Sequence, residues 1–269
     1  MRALAVIGNL SRDTIDGGAS TVGGAPFHAA RALRLLGGTS RIVARCAVAD
    51  RRPLVGPLAA LGVSWTWLPA ERTAAFELAY TGEQRALTVL DPGSPWTLDD
   101  ARSPGRAGWV HAGALTRADF PPEVLALLAR DRRLALDGQA LVRPPATGPL
   151  LLDADFDPDV LRHVTVLKLN EEEVEALGGE EEVTRLGVPE LLLTRGSTGA
   201  LVVARGERER VPVRRVETGD PTGAGDAFLA AYVWSRASGH RPSSAARHAA
   251  TTAARVLELA AARARETLC

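Results

Sequence analysis

Short apolar runs recur along this chain and alternate with stretches whose hydrophobic residues repeat at helical spacing. Residues 3–8 form a buried-type run ending in glycine, which predicts a first core strand. Gly23-Gly24-Ala25-Pro26 then opens a helical pattern reaching about Leu36, with Pro26 suited to the first turn and Gly37-Gly38 to the stop. Residues 40–48 predict a second core strand, 53–61 a helix and 63–68 a strand. Further strand-like runs lie at 109–112, 134–137, 164–169 and 191–194, with helical patterns such as 123–129 and 171–177 between them. This alternation predicts a mostly parallel sheet with helices on both faces. Residues 199–203 and 209–213 read as a late antiparallel pair, and helices at about 223–237 and 243–267 close the chain.

Two stretches break the alternation. Residues 14–22 are short and polar around Gly17-Gly18, and residues 75–80 and 85–90 flank Thr81-Gly82-Glu83-Gln84. Both read as hairpins that form a small sheet beside the main one. With no repeat, low-complexity linker or second long pattern, residues 1–269 are expected to form one domain, with lid strands from about 14–22 and 75–90.

Composition narrows the function classes. Thirty-two basic and 32 acidic residues cancel, so the chain carries no basic footprint for nucleic acid or an anionic membrane. The glutamate run Glu180-Glu181-Glu182 reads as a solvated helix start. Cys46 and Cys269 lie far apart and suggest neither a disulfide framework nor a metal knot. Met1 to Asn9 holds no apolar run long enough for a leader, and a cytoplasmic location is expected. His111, His163, His240 and His248 show no metal spacing. Trp65, Trp67, Trp96 and Trp109 fit either the core or a pocket wall.

The most informative chemistry lies at Glu217 to Phe228, Glu-Thr-Gly-Asp-Pro-Thr-Gly-Ala-Gly-Asp-Ala-Phe. A strand-like segment precedes it and an Ala-rich helix follows. The turn therefore sits at a helix N-terminus, where backbone amides point outward and the macrodipole favours an anion. Gly223, Ala224 and Gly225 are small enough to let an anion approach. Asp226 falls in the first turn. A carboxylate there would repel a phosphate, unless it serves as a base for an attacking hydroxyl.

Four landmarks now stand in order: Asp13 after the first strand, the Gly23-Gly24 pair, Asn170-Glu-Glu-Glu173, and Asp220-Pro-Thr-Gly-Ala-Gly-Asp226. Together they resemble the PfkB/ribokinase family of sugar and nucleoside kinases. The third is similar to that family's N-x-x-E motif and the fourth to its D-T-x-G-A-G-D signature, with Pro221 in place of the usual threonine. The resemblance implies a ribokinase-like three-layer α/β/α sandwich with a small, reduced β lid. It implies an ATP- and Mg²⁺-dependent phosphotransferase acting on an alcohol of a small sugar, polyol or nucleoside. Asp226 would be the base and Gly223, Ala224 and Gly225 the anion hole. Asp13, Gly23 and Gly24 would meet the acceptor, as would Ser11 and His28, which stand where ribokinase-type members often carry asparagine. Asn170 and Glu173 would hold Mg²⁺, partly through water. Thr194, Gly196 and Gly199 would contact nucleotide, and residues 246–254 would flank the adenine. The resemblance admits a homodimer.

Lys168, the sole lysine of an Arg-rich chain, lies two residues before Asn170 and fits a phosphate-contacting point charge. Asp137-Gly-Gln139 and Arg143 loosely resemble a D-x-Q-G-x-x-R pattern of some members, which would put the Asp137 carboxylate, the Gln139 amide and the Arg143 guanidinium beside the ligands. Competing readings are a vitamin-type kinase of the same superfamily, acting on pyridoxal or a thiazole alcohol, and a non-catalytic small-molecule sensor. The Gly-Gly helix start and early Asp13 favour the sugar and nucleoside branch; an intact Asp226 disfavours the sensor.

Overall fold

The structure, a computed structural model, describes residues 3–37, 40–81, 84–216 and 221–268. Four features of the sequence reading lie outside these residues: Gly38, the Gly82-Glu83 turn, the front of the signature from Glu217 to Asp220, and Cys269.

In chain order the elements begin with strands β1 (Leu4–Asn9), β2 (Ser11–Ile15) and β3 (Thr21–Gly23), helix α1 (Ala25–Leu36), β4 (Ser40–Ala47), α2 (Arg51–Ala59) and β5 (Ser64–Ala70). β6 (Ala74–Thr81), β7 (Gln84–Asp91), β8 (Trp109–Gly113), α3 (Pro122–Ala129), β9 (Arg133–Asp137), α4 (Gln139–Val142) and β10 (Gly148–Pro149) follow. The last third comprises β11 (Val166–Asn170), α5 (Glu171–Ala176), α6 (Glu180–Arg185), β12 (Glu190–Thr194), β13 (Ala200–Ala204), β14 (Glu207–Val211), α7 (Ala224–Ala237) and α8 (Pro242–Leu268).

A nine-stranded sheet of order β14-β13-β12-β11-β9-β8-β1-β4-β5 forms the centre. All its pairings are parallel except β12 with β13 and β13 with β14, the late pair read from the sequence. Successive residues of a strand face opposite sides, and the apolar runs fill both. Val6, Ile42 and Trp109 pack with α1, α7 and α8, whereas Ile7, Val110 and Leu136 pack with α3 on the opposite face. This is the expected three-layer α/β/α arrangement.

The two predicted hairpins join into a single second sheet of order β10-β7-β6-β2-β3. β2 bridges them by pairing antiparallel with β3 and parallel with β6. β2 begins at Ser11, with only Leu10 between it and the end of β1, so the lid grows directly from the first core strand. Of the four tryptophans weighed as pocket wall, Trp96 and Trp109 are buried in the core and Trp65 and Trp67 pack against it; none lies on the cleft described below.

Helix α7 is anchored at its far end. Glu190, at the start of β12, accepts from Tyr232 Oη at 2.6 Å and from Arg236 Nε at 2.9 Å. The Glu190 and Arg236 side chains are each 9% exposed. Removing one member of a buried pair leaves an uncompensated charge and costs about 3 kcal/mol or more. Arg236→Met should therefore lower unfolding free energy by about 3 kcal/mol in chemical denaturation. A change of a few tenths would show that this pair does not hold α7.

Candidate active site

The C-terminal ends of β1, β9, β11 and β12 open at one edge of the large sheet, where ligands bind in open α/β folds. A cleft of ≈ 530 Å³ lies there, roofed on one side by the lid. Two helices start on it, α1 at Gly24 (φ 92°) and α7 at Gly223 (φ 80°). Both glycines hold a left-handed backbone, and a side chain at either would also collide. At Gly24 it would overlap the Asn9 carbonyl, and at Gly223 the His28 imidazole. A Cβ on Gly225 would lie 2.9 Å from Lys168 Nζ. The start of α7 is thus seated between His28 of α1 and Lys168 of β11.

Asp226 is the third residue of α7 and lines the cleft, as the sequence predicts. Burial raises its carboxyl to about 7; Asp137 adds to the rise, and Lys168 and Arg143 oppose it. A group that changes charge near neutrality is suited to general base chemistry. The amides at this turn are not equivalent. Ala224 donates to Pro221 O at 3.1 Å, so its N–H closes the turn, which removes one of the three predicted anion-hole donors. Gly223, Ala224 and Gly225 all lie on the cleft wall.

Ser11, Asp13, Gly24 and His28 form the wall beneath the lid. Gly23 does not reach this wall. A side chain there would overlap the Asp13 carboxylate, so Gly23 acts by making room for Asp13 rather than by touching a ligand. The lid supplies Phe76, Leu78 and Leu87, and Leu115 joins them. Leu115 is held from behind: its N–H donates to Asp119 Oδ2 at 2.8 Å. Burial pushes this Asp119 carboxyl up to about 7, against the bonds it accepts from Leu115 and Thr116. Trp96 closes the belt, donating from its backbone to Asp119 O at 2.7 Å and from Nε1 to Asn9 Oδ1 at 3.1 Å.

At the end of β11, Asn170 caps α5. Its Oδ1 accepts from Glu173 N at 2.8 Å while Glu173 Oε2 accepts from Asn170 N at 2.9 Å. This reciprocal capping box turns Glu173 inward, where it is 1% exposed. Burial raises its carboxyl, with Lys168 opposing. Among the described residues Glu173 Oε1 has no hydrogen-bond partner. A buried, unpartnered carboxylate oxygen beside a cleft fits a hard cation. Asn170 reaches the cleft and Glu173 stands behind it.

Lys168 reaches the cleft, 3% exposed, with Nζ 2.9 Å from Oδ2 of the fully buried Asp137. Burial works against its charge, yet Asp137, Glu173 and Asp226 together hold the ammonium above its ordinary pKa. Gln139 and Arg143 line the same cleft. Asp137 does not; it is fully buried beneath Lys168. His111, also beneath α7 on β8, is fully buried, with both ring nitrogens unpartnered among the described residues, and burial lowers its pKa to about 4.

The opposite end of the cleft is built from Thr194, Gly196 and Gly199 after β12, together with one face of α8. That face presents Ala250, Ala253, Ala254 and Leu257, spaced for a single helical side. Arg214 and Arg215 border it, and Arg214 pairs with Glu258 of α8.

Every predicted site residue except Gly23, Asp137 and Glu173 thus lies on one cleft. Sequence reasoning missed the lid wall and the arginines. Phe76 and Leu78 carried a usable signal, since two residues apart on a strand they share a face. Leu115 and Arg214 sit in irregular segments with no periodicity to read. Among the described residues no group of three or more His, Cys, Asp or Glu is arranged as a metal cage, and no helix is long and apolar enough to cross a membrane.

Known sequences and solved structures similar to this chain share its fold. Fructokinase from Klebsiella pneumoniae is 27% identical over 230 residues, covering 77% of this chain and 74% of the relative. Among solved structures, a pyrophosphate-dependent kinase of the ribokinase family, complexed with a pyrophosphate analog and myo-inositol, superposes with TM-score 0.84 at 24% identity over 94% of both chains. Fructokinase from Vibrio cholerae O395, with fructose, ADP and calcium bound, superposes with TM-score 0.73 at 20% identity, covering 97% of this chain and 93% of the other. Residues 19–267 match the pfkB family carbohydrate kinase pattern, and the chain belongs to that family.

Proposed function

We propose that this carbohydrate kinase transfers a phosphoryl group from ATP to an alcohol of a small sugar, polyol or nucleoside, with Asp226 as the base. The observation that carries the reading is a carboxyl raised to about 7 in the first turn of a helix whose start is built from glycines. Above neutrality Asp226 takes the proton of an acceptor hydroxyl held by Asp13, Ser11 and His28. The amides of Gly223 and Gly225 and the positive end of α7 stabilise charge as it develops on the transferred group, commonly by a few kcal/mol per donor. Phosphoryl transfer needs positioning and charge neutralisation above all, and Lys168 and Arg143 supply positive charge at the same place. No side chain is needed as a phosphorylated intermediate.

The apolar face of α8, with Thr194, Gly196 and Gly199, supports a nucleotide as donor. A flat purine fits alanines spaced along one helical side, and the Vibrio cholerae fructokinase is described with ADP. Asn170 and Glu173 would hold Mg²⁺, largely through its waters, and the ion would neutralise phosphate charge when bound. The fructokinase relatives and the carbohydrate kinase family support a sugar-type acceptor over the vitamin-kinase reading.

An ADP-release assay over fructose, ribose, inositols and nucleosides should find at least one acceptor. Donors are best offered side by side as ATP, GTP and pyrophosphate, with Mg²⁺ present. ATP is expected to serve; turnover with pyrophosphate alone would overturn the donor assignment. Absence of turnover by folded protein on every acceptor, with binding of a sugar alone, would favour a sensor.

Asp226→Asn should reduce kcat by about a thousandfold or more while nucleotide still binds. Retained turnover would remove Asp226 from the role of base. The pH dependence has a defined sign. Since the base form dominates above about 7, kcat/KM should fall toward the acid side of neutrality, approaching about tenfold per pH unit. A flat profile from pH 5 to 8 would contradict the assignment.

A further inference from the structure

The Asp137–Lys168 pair does more than satisfy two buried charges. The two residues are direct partners across β9 and β11. Asp137 Oδ2 meets Lys168 Nζ at 2.9 Å, and its Oδ1 accepts from Gln139 N at 3.3 Å, so the carboxylate is held at both oxygens. The ammonium in turn lies directly behind Gly225, where a single added carbon would come within 2.9 Å of it. A lysine head is a compact charge on a flexible four-carbon stem. Without an anchor it would extend toward the nearest anion, and Asp226 and Glu173 are both within its electrostatic reach.

We infer that Asp137 is a positioning residue: it pins the Lys168 ammonium behind Gly225 and offsets its charge, so that phosphate is met by the helix-start amides and not captured by a free lysine. This rests on reading the start of α7 as the catalytic centre. The charged and titratable groups around the pair are Glu173, Arg143 and Asp226 on the cleft side and neutral His111 on the sheet side. Deleting the Asp137 charge leaves this cluster one unit more positive. A free cation binds phosphate equally in ground and transition states, which tightens binding without speeding transfer.

The test uses Asp137→Asn, nearly the same shape without the charge, and Mg²⁺–pyrophosphate as a calorimetric probe carrying the phosphates common to any donor. Asp137→Asn is expected to bind the probe about tenfold more tightly and to turn over about tenfold more slowly. Its acid limb of kcat/KM should move to lower pH, because a negative neighbour of Asp226 is gone. Lys168→Met should bind the probe about tenfold more weakly. A merely structural Asp137 would weaken binding and leave the acid limb in place. If Asp137→Asn does not fold, the double variant Asp137→Asn/Lys168→Met removes both charges together and decides the matter. Its probe affinity should lie within about threefold of the parent, since the charge sum is unchanged. A folded Asp137→Asn with unchanged or weaker binding, or a double variant as weak as Lys168→Met, overturns the inference. Retained turnover in Asp226→Asn would instead sink the base assignment, and leaves the binding comparison intact.

Discussion

The start of α7 fits only because positions 223 and 225 carry no side chain. Gly223 is pressed against the His28 imidazole and Gly225 against the Lys168 ammonium. Both neighbours are themselves fixed, His28 in the first turns of α1 and Lys168 by Asp137 within the sheet. At its other end the same helix is held by Glu190 through Tyr232 and Arg236. A helix clamped at both ends presents its first-turn amides and Asp226 at one orientation to the cleft. Phosphoryl transfer makes that rigidity useful, because most of its catalysis is positioning and electrostatics.

Charge is distributed with the same economy. The chain as a whole is neutral, yet three carboxylates, a lysine and an arginine converge at the cleft floor. Burial raises the Glu173 and Asp226 carboxyls, while Asp137 shares its charge with the lysine. The consequence is one acid group poised near neutrality at the N-terminal end of α7. A carboxylate ionised at all pH values would repel phosphate more strongly; one in a fully apolar setting would never deprotonate.

Much of this was legible in the sequence because it is local. Alternating apolar runs specified the large sheet, and glycines with Pro26 marked the start of α1. Asn170 and Glu173, three residues apart, have the spacing of the capping box that the structure contains. What stayed hidden depends on distant partners. The parallel pairing of β2 with β6, which fuses two hairpins into one lid, spans some sixty residues of chain. β10, two residues ending in Pro149, has no periodicity to display. Lys168 stood out as the sole lysine, but its partner lies 31 residues away. A loose D-x-Q motif aimed Asp137 at ligand, whereas strand parity turns it under α7. Gly23 likewise reads as a ligand contact until Asp13 is seen lying against it. The Ala224 amide was counted as free because a turn bond to Pro221 leaves no trace in residue types.

The most direct test of the account is a crystal structure of Asp226→Asn with Mg²⁺–ATP and the acceptor selected by the ADP assay. The account predicts one acceptor hydroxyl within about 3 Å of the residue 226 side chain. It also predicts that hydroxyl in line with a γ-phosphoryl group facing the Gly223 and Gly225 amides. A hydroxyl directed at another base, or phosphates seated away from the start of α7, would contradict it.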